Sequence, residues 1–115
     1  FEIGVALADF DQDGFLDVYP AKGNTTLIDL PNFLYKNNGI LTSSKNWIEI
    51  KLEGTTSNRA AIGARVKVVT TSPARTQIRE VSSRTGYGSQ NSLIQHFGLG
   101  SATTISQIEV RWPSG

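Results

Sequence analysis

Four aspartates stand close together near the start of the chain, in the segment ADFDQDGFLDVY, where they surround a single glycine. The acidic residues are Asp9, Asp11, Asp13 and Asp17, and the glycine is Gly14. Carboxylates at every second position of a loop can converge on one point, and a hard divalent cation is the usual reason to hold so many like charges together. The spacing therefore predicts a Ca²⁺ site.

The spacing also indicates which oxygen atoms would bind the cation. The expected ligands are the side chains of Asp9, Asp11, Asp13 and Asp17 and the main-chain carbonyl of Phe15. In a loop that starts at Asp9, Gly14 is the sixth position and permits the sharp bend. An EF-hand would have a bidentate glutamate at position twelve, where this chain has Pro20. The EF-hand interpretation therefore fails, and Asp17 is expected to complete the coordination shell.

A solvated acidic turn is the alternative interpretation, because Asp and Gly favour turns without any ligand. Apolar residues on both sides of the loop, at Val5, Leu7, Leu16 and Val18, predict two strands that hold the carboxylates together. Oxygen ligands without nearby His or Cys favour Ca²⁺ over Zn²⁺, and a flexible loop favours it over the strictly octahedral Mg²⁺. Because no activated nucleophile accompanies the loop, we expect a structural ion.

The elements that position this loop are predicted to be strands, since apolar side chains alternate with polar ones and no long helical periodicity is present. Alternating runs predict strands at residues 47–52, 65–68, 93–99 and 108–112. Short apolar segments at residues 3–8, 15–19 and 32–36 flank or follow the aspartate loop. The pattern predicts an all-β fold: an antiparallel β-sandwich or barrel-like domain, preceded by a propeller-blade-like strand-loop-strand segment.

Charge divides the chain into two parts. Residues 1–44 carry two Lys and six acidic residues, whereas residues 45–115 carry nine Lys or Arg and four Glu, so the net charges are −4 and +5. We therefore predict a calcium-binding blade fragment at 1–44 and a separate β domain at 45–115. A fragment of two or three strands is marginally stable alone, so the first part needs a packing partner.

Longer stretches of the chain resemble known families. ADFDQDGFLDVY is similar to the calcium loop of FG-GAP or VCBS-type repeats, the blades of integrin-like β-propellers, and NFLYKNNG resembles the end of such a blade. NWIEIKLEGTTSNRAAIGARVKV, RTGYGSQNSLIQHFGLG and ISQIEVRWPSG resemble, in order and spacing, the ASPIC and UnbV domain. The resemblance implies a secreted or surface-exposed, calcium-bearing module without an assigned reaction, in which a single blade-like segment precedes the ASPIC and UnbV part.

A second candidate site is the polar loop RTGYGSQN, which is rich in glycine. Its residues Arg84, Tyr87 and Gln90 could hydrogen-bond to a sugar or peptide and stack on it. In the alternative interpretation the segment is a long turn whose glycines adopt positive φ while Tyr87 covers the core.

Neither catalysis nor nucleic-acid binding is expected. His96 is the only histidine, and the chain has no Cys and no G-x-S-x-G motif, so a structural role for His96 is favoured. The basic residues are spread over several predicted strands without interleaved aromatic residues, which is typical of solvated strand faces. No apolar run approaches the roughly 20 residues that a membrane-spanning helix requires.

These observations favour a non-catalytic recognition or adhesion module at the cell surface or outside the cell. Its expected partners are an unidentified protein or glycan and an upstream propeller domain of the same chain. Two alternatives stay open: a structural cap that covers the exposed sheet edges of a propeller, and a carbohydrate-binding accessory domain of an enzyme.

Overall fold

The computed structural model describes residues 2–23, 31–40 and 46–115. Its elements are the strands β1 (Glu2–Ala8), β2 (Asp17–Lys22), β3 (Asn46–Ile50), β4 (Arg65–Thr71), β5 (Ala74–Glu80), β6 (Gln95–Gly100) and β7 (Gln107–Arg111). All strand pairings between them are antiparallel, and no helix occurs in these three ranges. The prediction of an all-β fold is confirmed. The predicted boundary between residues 44 and 45 lies outside the described residues.

The chain forms two compact units. The first contains Phe1–Gly39 together with Ser83–Ser92, and the second contains Ile40–Ser82 and Leu93–Gly115. The polar loop around Tyr87 therefore belongs with the aspartate loop, although it lies far away in sequence.

A short antiparallel hairpin forms the centre of the first unit. β1 pairs with β2 so that Ala8 lies opposite Asp17, and residues 9–16 form the loop between the strands. The second strand was predicted at 15–19, but it begins at Asp17, and Phe15 remains in the loop. The chain turns at Gln12 and Gly14, which have φ values of 60° and 91°. The strand therefore starts only after this left-handed turn has reversed the chain.

The segment 31–40 lies beside the hairpin. Val18 and Tyr35 exchange backbone hydrogen bonds of 3.0 and 2.8 Å, which place this segment next to β2. Gly39 is buried against the ring of Phe15 and has a φ of 61°. A Cβ atom at Gly39 would overlap that ring, so glycine is required both for the conformation and for the close approach.

The second unit contains two sheets, one with the order β3-β6 and one with the order β5-β4-β7. Alternate residues of β4 and β6 point into a common core, in which Val66, Val68 and Phe97 are at most 1% exposed. This alternation is the period of two that a half-buried strand requires. The sheets pack through this core as a sandwich, and the described strands do not join into a closed barrel.

The sequence pattern did not predict β5. Its only large apolar residue, Ile78, is 57% exposed, so the strand has no hydrophobic alternation of its own. Pairing with β4 along its whole length holds it in place. In addition, Gln77 Nε2 donates a 2.7 Å hydrogen bond to the carbonyl of Gly98, and the guanidinium of Arg79 lies 5.2 Å from the centre of the Phe97 ring. An edge strand with mostly charged and polar side chains has no hydrophobic pattern in its sequence, so it can be identified only from the strand with which it pairs.

Candidate metal centre

The aspartate loop is held in shape by its own carboxylates. Asp9, directly after β1, accepts hydrogen bonds from the backbone N–H groups of Asp13 at 3.1 Å and Gly14 at 2.8 Å. Asp13 Oδ1 accepts the N–H of Phe15 at 3.0 Å. These bonds are the local Asx-type contacts that aspartate forms readily in turns, and they fold residues 9–15 back on themselves.

Asp17 joins the loop to the neighbouring segment. Its side chain is only 2% exposed, and its two oxygens accept the N–H of Phe10 at 3.2 Å and the N–H of Asn37 at 2.8 Å. A buried carboxylate requires such donors because an isolated charge is costly to remove from water. The backbone N–H of Asn37 is therefore part of the site, a contribution that the spacing of the aspartates did not reveal.

Three carboxylates converge on one point. Asp9, Asp11 and Asp17 each offer one oxygen atom, and these atoms all lie within 4.8 Å of one another. The donors are oxygens of hard carboxylates with no sulfur or nitrogen ligand in the group, which fits Ca²⁺ better than Zn²⁺. Asp13 does not belong to this group of carboxylates, and both Asp13 and the carbonyl of Phe15 stay predictions as ligands.

Lys36 was not anticipated as part of the site. Its ammonium group forms an ion pair with Asp11 and lies 3.5 Å from an oxygen of Asp13. The hydrogen bond with Lys36 lowers the pKa of Asp11, and the hydrogen bond with Asp11 raises the pKa of Lys36. Both shifts favour the charged forms, so the loop carries a counter-ion from its own chain.

The second predicted site lies in Ser83–Ser92, within the first unit. Asn91 Oδ1 accepts a 2.9 Å hydrogen bond from the N–H of Leu7, and a tight turn links Thr85 to Ser89 with a hydrogen bond of 3.1 Å. Gly88 at the turn has a φ of 67°, as the long-turn interpretation requires of its glycines, whereas Gly86 does not have a positive φ. However, Tyr87 is 88% exposed and does not cover the core. Ligand binding by Arg84, Tyr87 and Gln90, all of them exposed, stays a prediction.

An apolar depression of about 300 Å³ lies on the first unit beside the aspartate loop. It is lined by Ala6, Ala8, Phe10, Asp17, Tyr19 and Leu34. Phe10, the residue that follows Asp9, is 74% exposed although it is a large apolar residue. The depression therefore presents apolar surface to solvent next to the carboxylates.

His96 lies in the second unit, outside these sites. Its ring stacks on the ring of Trp47 with a centroid distance of 5.8 Å and an interplanar angle of 13°. Glu49 lies opposite His96 in the pairing of β3 with β6. The packing is compatible with the structural role that the sequence favours for this histidine.

Most of the second unit, together with Ser83–Ser92 of the first, matches a known family. A family model described as ASPIC and UnbV matches residues 54–115, which is more than half of the chain. The chain belongs to the ASPIC and UnbV family. The predicted FG-GAP-like segment lies outside the matched residues and stays a prediction.

Relatives of this ASPIC and UnbV chain are found among animal proteins. Cartilage acidic protein 1 of Xenopus tropicalis and of Mus musculus are each 33% identical over 112 residues, and that of Homo sapiens is 32% identical over 112 residues. The alignments cover 97% of this chain, so they include the aspartate loop as well as the ASPIC and UnbV part. The chain spans only 16% of the length of each of these relatives. In the described ranges, no helix has the length and apolar character needed to cross a membrane.

Proposed function

We propose that this chain is a calcium-binding, non-catalytic recognition or adhesion module and forms part of a larger extracellular protein. The observation that carries the proposal is the convergence of Asp9, Asp11 and Asp17 on one point. Three carboxylates at this distance repel one another, and Lys36 pairs with only one of these three. A divalent cation bound there would offset the repulsion and tie the loop to β2 and to residues 36–38.

The location and the size of the whole protein are inferred from similarity. Relatives that carry the word cartilage in their names, together with the resemblance to secreted proteins, support an extracellular location. The small share of each relative that the chain covers supports a larger protein. The resemblance of ADFDQDGFLDVY to FG-GAP repeats is the basis for proposing a propeller that precedes this module.

A calcium titration tests the cation site. We expect Ca²⁺ to bind the wild-type chain in isothermal titration calorimetry and to raise its melting temperature relative to a sample in EGTA, because ligand binding to the folded state stabilises it. The variant Asp11→Asn keeps the shape of the side chain but removes one charged ligand. We expect it to weaken Ca²⁺ binding about tenfold or more, the order of effect expected for losing one charge-assisted contact.

Glu53→Gln is the matched control, since Glu53 is an exposed carboxylate that pairs with Arg59 in the second unit. It should bind Ca²⁺ as the wild type does. Equal melting temperatures in Ca²⁺ and EGTA would contradict the structural role of the ion, and equal affinities of Asp11→Asn and wild type would contradict the assigned ligands.

A structural cap at the end of a propeller is the second candidate function. It is favoured by the apolar depression around Phe10, because such surface is commonly covered by a neighbouring part of a protein. A preceding blade of the same protein would be the occupant.

A glycan array in the presence of Ca²⁺ separates recognition from capping. Signals that disappear in Arg84→Ala or Tyr87→Ala would support carbohydrate recognition by the polar loop. A silent array, combined with Ca²⁺-dependent stability, would support the cap.

A further inference from the structure

Trp112 lies between two neighbouring depressions on the second unit. One has a volume of about 370 Å³ and the other of about 380 Å³, and Trp112 lines both. The ring is half-buried and packs against a small core cluster of Ala61, Ala64 and Val81. This packing holds the ring in position, so Trp112 offers a fixed aromatic surface to both depressions.

The side chains that line the first depression carry excess positive charge. Arg65 and Arg111 both line it, and they lie directly opposite each other in the pairing of β4 with β7. Like charges at directly opposed positions destabilise a sheet, so the pair requires a compensating anion. Glu80 supplies one, at 3.0 Å from Nε of Arg65. Within the described part of the chain Arg111 has no ion-pair partner, and the depression therefore keeps one uncompensated guanidinium.

The second depression has no charged side chain and is rich in hydroxyl groups. Besides Trp112 it is lined by Thr55, Thr56, Ser57, Ser114 and Gly115. The hydroxyls of Ser57 and Ser114 lie 2.6 Å apart and form a hydrogen bond that joins the two sides of the depression. Each hydroxyl can both donate and accept, which is the property needed to bind another hydroxyl of variable orientation.

We propose that the surface around Trp112 binds an acidic saccharide, a sugar chain that carries carboxylate or sulfate groups. Arg111, supported by Arg65, pairs with the anionic group through its planar array of donors. Trp112 stacks on the face of a sugar ring, and the threonine and serine hydroxyls bind the hydroxyls of the neighbouring sugar. The inference deepens the recognition role proposed above, and it involves neither the aspartate loop nor Arg84 and Tyr87.

A saccharide fits this surface better than an acidic peptide does. The basic depression alone would accept either ligand. The neighbouring depression offers four side-chain hydroxyls and the ring of Trp112 but no charged side chain, a set that matches the hydroxyl groups and the apolar face of a sugar ring. A polyhydroxylated ring uses both depressions at once.

The test measures binding of defined probes to the 115-residue chain by isothermal titration calorimetry at fixed ionic strength. The chain is prepared with an amidated C-terminus, because Gly115 lines both depressions and a free carboxylate there would repel an anionic ligand. The acidic probes are an oligogalacturonate, which carries carboxylates, and a heparin-derived oligosaccharide, which also carries sulfates. A neutral cello-oligosaccharide and an oligo-aspartate peptide are the comparison ligands. Each titration is performed with Ca²⁺ and again with EGTA.

Arg111→Gln removes the unpaired charge, and Arg75→Gln is its matched control. Arg75 is an exposed arginine on β5 that lines neither depression, so both variants lose the same net charge. We expect Arg111→Gln to weaken binding of at least one acidic saccharide about tenfold, as for the loss of one charge-assisted contact, and Arg75→Gln to change it by less than about twofold. Thr56→Ala should also weaken binding, because it removes a hydroxyl from the second depression.

Three results would overturn the proposal: no binding of either acidic saccharide, equal weakening by Arg111→Gln and Arg75→Gln, or binding of the oligo-aspartate peptide as tight as that of the saccharides. The second would indicate diffuse electrostatic attraction, and the third a general anion site. Failure of the calcium proposal is seen separately, as absent Ca²⁺ binding by the wild-type chain, and leaves the comparison of the two arginine variants intact.

Discussion

At the scale of single residues, Lys36 offsets part of the negative charge of the aspartate loop. Its ammonium pairs with Asp11, one of the three converging carboxylates, and lies close to Asp13. The four aspartates and Gly14 are adjacent in sequence, so their spacing alone predicted a cation site. Lys36 comes from a different segment, which the pairing of Val18 with Tyr35 and the hydrogen bond from Asn37 to Asp17 bring to the loop.

Replacing Lys36 by glutamine should strengthen calcium binding. Ca²⁺ and the ammonium group compete for the same carboxylate oxygens of Asp11, so removal of the ammonium should lower the dissociation constant roughly two- to fivefold, the range expected for one exposed charge pair. The measurement is competition with a fluorescent calcium chelator at low ionic strength. The difference should shrink as salt is added, because salt screens exposed charges.

Lys22→Gln is the control for this prediction, since Lys22 belongs to the same unit but lies over the ring of Phe33, 4.5 Å from its centre. Its affinity for Ca²⁺ should remain near the wild-type value. Weaker binding by Lys36→Gln would mean that Lys36 orders the loop and does not compete with the cation.

At the scale of elements, the loop depends on how residues 31–40 pack against it. Phe15 covers Gly39, and Asn37 donates its N–H to Asp17. Burial of side chains distinguishes the strands that the sequence predicted from β5, the strand that it did not predict. β4 and β6 show hydrophobic alternation because each buries one face, whereas β5 buries almost none of its side chains and takes its conformation from β4.

Gly39→Ala should destabilise the first unit more than Gly88→Ala does. Both glycines have positive φ, at 61° and 67°, so alanine strains the backbone at either position. Only at Gly39 does the added methyl group overlap another side chain, and overpacking of this kind costs about 1 to 3 kcal/mol beyond the backbone strain. Urea denaturation followed by the near-ultraviolet circular dichroism of tyrosine measures the difference. Equal destabilisation by both variants would show that the ring of Phe15 does not rest on Gly39.

At the scale of the whole molecule, the chain consists of two compact units that are not continuous in sequence. Ser83–Ser92 leaves the second unit to join the first, where Asn91 bonds to the backbone of β1. The predicted division into 1–44 and 45–115 follows the change of charge along the chain. The distribution of charge along the chain could not predict that Ser83–Ser92 belongs to the first unit. This segment is held there by a hydrogen bond between two residues that are 84 positions apart in sequence.

Calcium should protect the first unit selectively. In hydrogen–deuterium exchange, we expect added Ca²⁺ to slow exchange at the amides of Phe10, Asp13, Gly14 and Asn37, because these groups donate to the carboxylates of the proposed site. Amides of β4 and β6 should change much less. Asp11→Asn at the same Ca²⁺ concentration is the control and should show little protection. Equal slowing throughout both units would contradict a local cation site.

The local sequence alone was sufficient to predict the position of the aspartate loop, the all-β class, most of the strands and the family. Each of these features depends on residues that are close together in sequence. The tertiary structure was needed for the counter-ion Lys36, the amide of Asn37 at Asp17, the edge strand β5 and the alignment of Arg65 with Arg111. All of these depend on strand register and on contacts between distant segments. Packing and hydrogen bonding over the whole fold set that register, so no short stretch of residues contains it.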